Sequence, residues 1–139
     1  MMKILDLPSI FATEINLEFF EARTIGEIRE FFRELLIRLF EVSSIDNRLV
    51  GHIKVYSEGQ DGASIRANLT GSIRNLMVIT NGDGEERRLR IWINVITHMV
   101  KEEELVGRVI DAIRRFTTDQ KEIVKSFSLS LSNTHRNHK

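Results

Sequence analysis

RRLRIWINVI, residues 87–96, alternates so regularly that both faces of one strand can be read from it. Leu89, Ile91, Ile93 and Val95 fall on one face, and Arg90, Trp92, Asn94 and Ile96 on the other. A strand with one apolar face needs a flat apolar cover. Its place is therefore expected at the centre of a half-buried sheet, with helices against the apolar side.

Three strand candidates precede it. Residues 49–57 alternate Ile53 and Val55 against His52, Lys54 and Tyr56, and residues 63–70 alternate Ile65, Ala67 and Leu69 against Ser64, Arg66, Asn68 and Thr70. Residues 73–80 are apolar on both faces. The joints are EGQDG (58–62), Gly71 with Ser72, and NGDG (81–84), the last being the strongest hairpin signal in the chain. The expected arrangement is a meander running into the opening strand.

Outside this block lie two helices. TIGE, residues 24–27, has the form of a capping box. From there Ile25, Ile28, Phe31, Phe32, Leu35, Leu36, Leu39 and Phe40 repeat at helical spacing until Ser43, Ser44, Asp46 and Asn47 break the pattern. The second helix starts at Glu102, Glu103 and Glu104, where the helix dipole favours acids, and buries Leu105, Val109, Ile113 and Phe116. Thr117 and Thr118 are expected to interrupt it, with Asp119 capping one more short turn. At the ends, residues 14–20 (EINLEFF) read as a short strand with a helical turn as the competing reading, and SFSLSLS as an edge strand. Pro8 argues for an irregular segment over residues 1–13, and residues 133–139 read as a frayed tail.

The fold class expected is α+β: a two-layer sandwich in one domain over residues 1–139, its mainly antiparallel sheet of about four to six strands carrying two long helices on one face. The element order resembles the ferredoxin-like βαββαβ order with an extra hairpin inserted, an architectural likeness that carries no function.

Composition narrows the function classes. The 139 residues are 42% hydrophobic and 29% charged, ordinary for a globular domain. Twenty basic and twenty acidic side chains cancel, so no global field draws the chain to nucleic acid or an anionic membrane. The absence of cysteine removes disulfides, thiolate nucleophiles and zinc ribbons, and fits a reducing compartment. MMKILDLPSIF does not read as a secretory signal, and no run of about 18 apolar residues occurs. A cytoplasmic location without membrane contact is the expectation.

No catalytic, metal or cofactor site is expected. NGDGEE lacks the later glutamate of a calcium loop, its glycines are not followed by the Lys-Ser/Thr of a phosphate-binding loop, and no serine lies in a G-x-S-x-G elbow. His52 and His98 fall at strand ends that an antiparallel pairing would bring together, but without a third ligand; His135 and His138 lie in the polar tail.

The candidate site is the polar face of the sheet. Lys54, Tyr56, Arg66, Asn68, Arg90, Trp92 and Asn94 are expected there with His52, Ser64 and Thr70, free of carboxylates, while Glu58, Asp61, Asp83, Glu85 and Glu86 lie in the loops around it. Three readings follow. The face is plain surface, or is covered by residues 1–20. It pairs with a second copy as a dimer, Trp92 and Tyr56 serving as anchors. Or its cations and rings hold single-stranded RNA or DNA. The leading expectation is a non-enzymatic interaction module that self-associates through its sheet.

Overall fold

A computed structural model describes residues 7–98 and 100–131. Along the chain run β1 (Ser9–Thr24), α1 (Ile25–Ser43), β2 (Leu49–Gly59), β3 (Ser64–Gly71), β4 (Met77–Asn81), β5 (Glu85–Thr97), α2 (Glu102–Asp119) and β6 (Val124–Leu131). The strands form one sheet in the order β4-β3-β2-β5-β1-β6, every neighbouring pair antiparallel. The opening stretch is β5, held between β2 and β1. Strands β1 and β2, joined through α1, are therefore parallel with β5 between them, and β5 and β6, joined through α2, are parallel with β1 between them. This split βαβ arrangement matches the ferredoxin-like element order, with β3 and β4 extending the sheet beyond β2. The chain is thus an α+β two-layer sandwich.

Both helices cover one face. All eight stripe residues of α1 are buried, as are Leu105, Val109, Ile113 and Phe116 of α2. All of these but Ile25 meet Phe11, Ile15, Leu17, Ile53, Val55, Ile65, Leu69, Leu89, Ile91, Ile93 and Val95 in a single core. Between the helices, Phe31 and Phe116 are 4.9 Å apart, centroid to centroid, and Arg38 reaches from α1 to Asp119 at 2.8 Å while holding Glu34 at 3.4 Å. The capping box forms as read: the Glu27 N–H donates to Thr24 Oγ1, and the Thr24 N–H to Glu27 Oε1 at 2.9 Å. Thr24 is at once the last residue of β1 and the cap of α1, so strand passes to helix without a loop.

Four expectations need correction. First, β1 begins at Ser9, and residues 9–13 are strand, not irregular. Their alternation is hidden because two inward positions are polar: buried Ser9 donates to the Val100 carbonyl, and buried Thr13 donates to the Ser130 carbonyl at 2.7 Å. Because residues 9–24 are a strand of the sheet, they do not cover its polar face. Second, residues 73–80 are not one strand, since Ile73–Asn75 is a 3₁₀ turn before β4. Third, Thr117 and Thr118 do not interrupt α2; Thr117 donates to the Ile113 carbonyl at 2.8 Å within the helix, and Asp119 is its last residue, not a new cap.

The fourth correction concerns NGDG. Residues 81–84 join β4 to β5, which are not sheet neighbours, so this is a crossing and not a hairpin. The chain passes over the closed end of the β2–β3 hairpin. There Gly82 (φ +109°) lies so close to Ala63 that an added Cβ would stand 3.2 Å from its Cα. Glu86, only 1% exposed, turns its carboxylate into the hairpin loop and accepts from the Asp61 N–H at 2.8 Å and the Ala63 N–H at 2.9 Å. Turn residues signal that the chain reverses; they do not say which strand it will join. Among the described residues, no helix is long and apolar enough to cross a membrane. The expected tail at residues 133–139 lies outside the described residues.

Candidate functional site

With both helices on one side, the other side of the sheet carries the polar alternation of every strand. Register fixes which residues meet. One row across the sheet runs Ile79, Arg66, Tyr56, Trp92, Glu14, Ser130, and the next runs Met77, Asn68, Lys54, Asn94, Ala12. Six of the seven expected site residues, Lys54, Tyr56, Arg66, Asn68, Trp92 and Asn94, line one shallow groove of about 400 Å³. The seventh, Arg90, lies in an adjoining cleft of about 580 Å³ with Asn16, Glu18, Glu58, Arg88, Ser126 and Ser128.

The centre of the face is a ladder of stacked groups. Tyr56 and Trp92 stack with centroids 5.7 Å apart and planes 27° from parallel. The Arg66 guanidinium lies 5.7 Å from the Tyr56 ring centre, and that of Arg90 lies 5.1 Å from Trp92. Strands β3 and β5 flank β2, so Tyr56 is held between Arg66 and Trp92. Arg90 is in turn fixed from the β1 side, its Nε donating to Glu14 Oε2 at 2.7 Å. Cation–π contacts of this kind contribute about 0.5–1 kcal/mol each when exposed, so the ladder is ordered by several modest terms acting together.

The face is not free of carboxylates, as the sequence suggested. Glu14 stands directly opposite Trp92, because β1 pairs with β5. Glu58 continues the polar face of β2, where Tyr56 Oη donates to its Oε2 at 2.9 Å. That hydrogen bond, aided by burial and by the carboxylate's charge and opposed by Arg66, raises the phenol above its ordinary pKa. Glu18 pairs with Arg87 at 2.7 Å, Arg88 at 3.7 Å and Lys125 at 3.9 Å. By contrast, Lys54 and Arg66 form no ion pair among the described residues, so positive charge is left over on the β2–β3 half. At the border, Met77 and Ile79 are each 52% exposed.

Period-2 reading of EINLEFF did place Glu14 and Glu18 opposite Ile15 and Leu17. What it lacked was the neighbour: only the pairing of β1 with β5 brings those acids onto the Trp92 face. Met77 and Ile79 were missed because residues 73–80 are apolar at both parities.

Arg66 lies over the Tyr56 ring and Arg90 over the Trp92 ring, so a base stacking on the pair would compete with these guanidinium groups. The register Gly51↔Thr97 and the His98 N–H donating to the Val50 carbonyl at 2.8 Å do bring His52 and His98 to one end of the sheet. Among the described residues, however, no three His, Cys, Asp or Glu side chains converge as a metal site would require; His135 and His138 lie outside them. Comparison with protein-family models, with curated proteins and with solved structures finds no match to this chain.

Proposed function

We propose that this chain is a non-enzymatic interaction module that associates with a second copy of itself through the open face of its sheet. The observation that carries the reading is the Arg66–Tyr56–Trp92–Arg90 ladder on a face that neither α1 nor α2 covers. Tryptophan, tyrosine and arginine dominate the energetics of protein interfaces, and groups already held in place lose little entropy on docking. The exposed Met77 and Ile79 add apolar area beside the groove. Charge placement supports a second copy as partner. A two-fold axis parallel to the strands and between β2 and β5 would lay Arg66 of one copy over Glu14 of the other, since the two share a row of the sheet.

Sedimentation at micromolar concentration tests this. Wild type is expected to associate, and Trp92→Ala to sediment as a smaller species than wild type with an unchanged circular dichroism spectrum. A wild type that is monomeric throughout, or a Trp92→Ala that sediments as wild type does, removes the reading.

Unpaired Lys54 and Arg66 also favour a second reading, single-stranded nucleic acid binding. The guanidinium groups over the rings and the carboxylates of Glu14, Glu18 and Glu58 weigh against it. Titration with a fluorescent oligonucleotide at low salt separates the two: salt-sensitive binding weakened by Arg66→Ala would replace the first reading with the second.

A further inference from the structure

Among the described residues, strand β6 closes one side of the sheet and has a neighbour, β1, on one side only. Natural sheets blunt such edges with charge, proline, bulges or brevity, because an open edge is a template for another strand. The opposite edge obeys the rule: β4 has five residues, and Arg29 of α1 reaches it, donating to Thr80 Oγ1 at 2.9 Å. Strand β6 does not. It has eight residues, carries neither charge nor proline from Ser126 to Leu131, and pairs with β1 in unbroken register over that span. The helix layer also stops short of it, α2 packing over β1, so Phe127 and Leu129 stay half-buried and Leu131 is exposed.

The pattern is symmetric about Ser128: Phe127 and Leu129 flank it on the helix side, Ser126 and Ser130 on the open side. We infer that β6 pairs antiparallel with β6 of a second copy about a two-fold axis through Ser128, joining the two six-stranded sheets into one. In that register Ser128 meets its own copy, Ser126 meets Ser130, and Phe127 meets Leu129. Hydroxyls face hydroxyls on the open side, apolar side chains cover one another in the gap between the two helix layers, and no like charges oppose. The contact uses no member of the aromatic ladder and is independent of any contact made through that face.

The chain has no cysteine, so single cysteines can read the register directly. Opposite Cα atoms in an antiparallel pair lie about 4.5–5.5 Å apart, inside the span of a disulfide. Under mild oxidation Ser128→Cys is expected to give a covalent dimer on a non-reducing gel. Ser126→Cys alone and Ser130→Cys alone are expected to give little, and a mixture of the two to give the dimer. Adding Trp92→Ala to Ser128→Cys should leave cross-linking unchanged, which separates this edge contact from failure or success of the face contact. A Ser128→Cys chain that stays monomeric overturns the inference, and so do equal cross-linking by all three single variants, a mixture no better than its parts, or dependence on Trp92.

Discussion

Glu86 offers the sharpest test of how the chain crosses from β4 to β5. Its carboxylate is removed from water and accepts two backbone N–H groups of the 59–63 loop. Hydrogen bonds to a charged acceptor contribute about 1.5–3 kcal/mol each, and a buried N–H left without a partner costs about 1–3 kcal/mol. Glu86→Gln keeps one accepting oxygen but turns an NH₂ toward the second N–H. One charged hydrogen bond is lost, and a donor faces a donor. Against this, the amide escapes the cost of burying a charge, which reduces the net effect. The expected loss is about 2–3 kcal/mol, since the loop has no room to turn: an added Cβ on Gly59 would already stand 2.1 Å from Glu86 Cδ. With a urea slope of about 1–3 kcal/mol per molar, the unfolding midpoint should fall by about 0.7–3 M. Glu85→Gln, an exposed neighbour, is the control and should stay within about 0.5 kcal/mol of wild type. If Glu86→Gln unfolds at the wild-type midpoint, the carboxylate does not hold the crossing, and the argument from its hydrogen bonds is wrong.

Two further outcomes follow from single positions. Tyr56 is the chain's sole tyrosine, so phenolate absorbance reports it alone, and it should titrate above the ordinary value, falling back in Glu58→Gln. Because the folded pKa is the raised one, the stabilisation from this hydrogen bond is complete below the unfolded tyrosine's pKa and is lost as pH rises through the folded value; a titration identical in Glu58→Gln would refute the assignment. Gly51 has φ +150°, and a Cβ there would fall 1.9 Å from the Ile96 carbonyl oxygen, so Gly51→Ala should lose about 2–4 kcal/mol in thermal unfolding. An unchanged Tm would show that the β2–β5 approach is looser than described.

What could be read in advance was periodicity, and what could not was adjacency. The faces of β5, the stripes of both helices and the Thr24 cap each depend on residues within a few positions of one another, and each was legible. The neighbours of β5 are another matter. Nothing local to RRLRIWINVI says that Glu14 will lie beside Trp92, or that the strand will leave β4 behind and insert between β2 and β1. Residues 9–13 were lost for a different reason: Ser9 and Thr13 are buried with their hydroxyls satisfied by carbonyls, so burial there left no apolar trace. That the seven residues share one face was legible because a face of a sheet is a matter of parity, but the carboxylate that pairs with Arg90 comes from a strand distant in sequence.

The insertion of β5 also sets the order in which the molecule can be made. Strand β1 begins at Ser9 and β2 at Leu49, yet neither bonds to the other, and the strand that bridges them starts only at Glu85. A nascent chain that has not yet released β5 holds a β2–β3 hairpin on one side and an unpaired β1 on the other, with Ile15, Leu17, Ile53 and Val55 lacking their central neighbours. Closure of the middle of the sheet is therefore a late, long-range event, of the kind that slows folding toward milliseconds to seconds. Trp92, the only tryptophan, rides on the strand that makes the closure, so its fluorescence in a refolding experiment times the joining of the two halves.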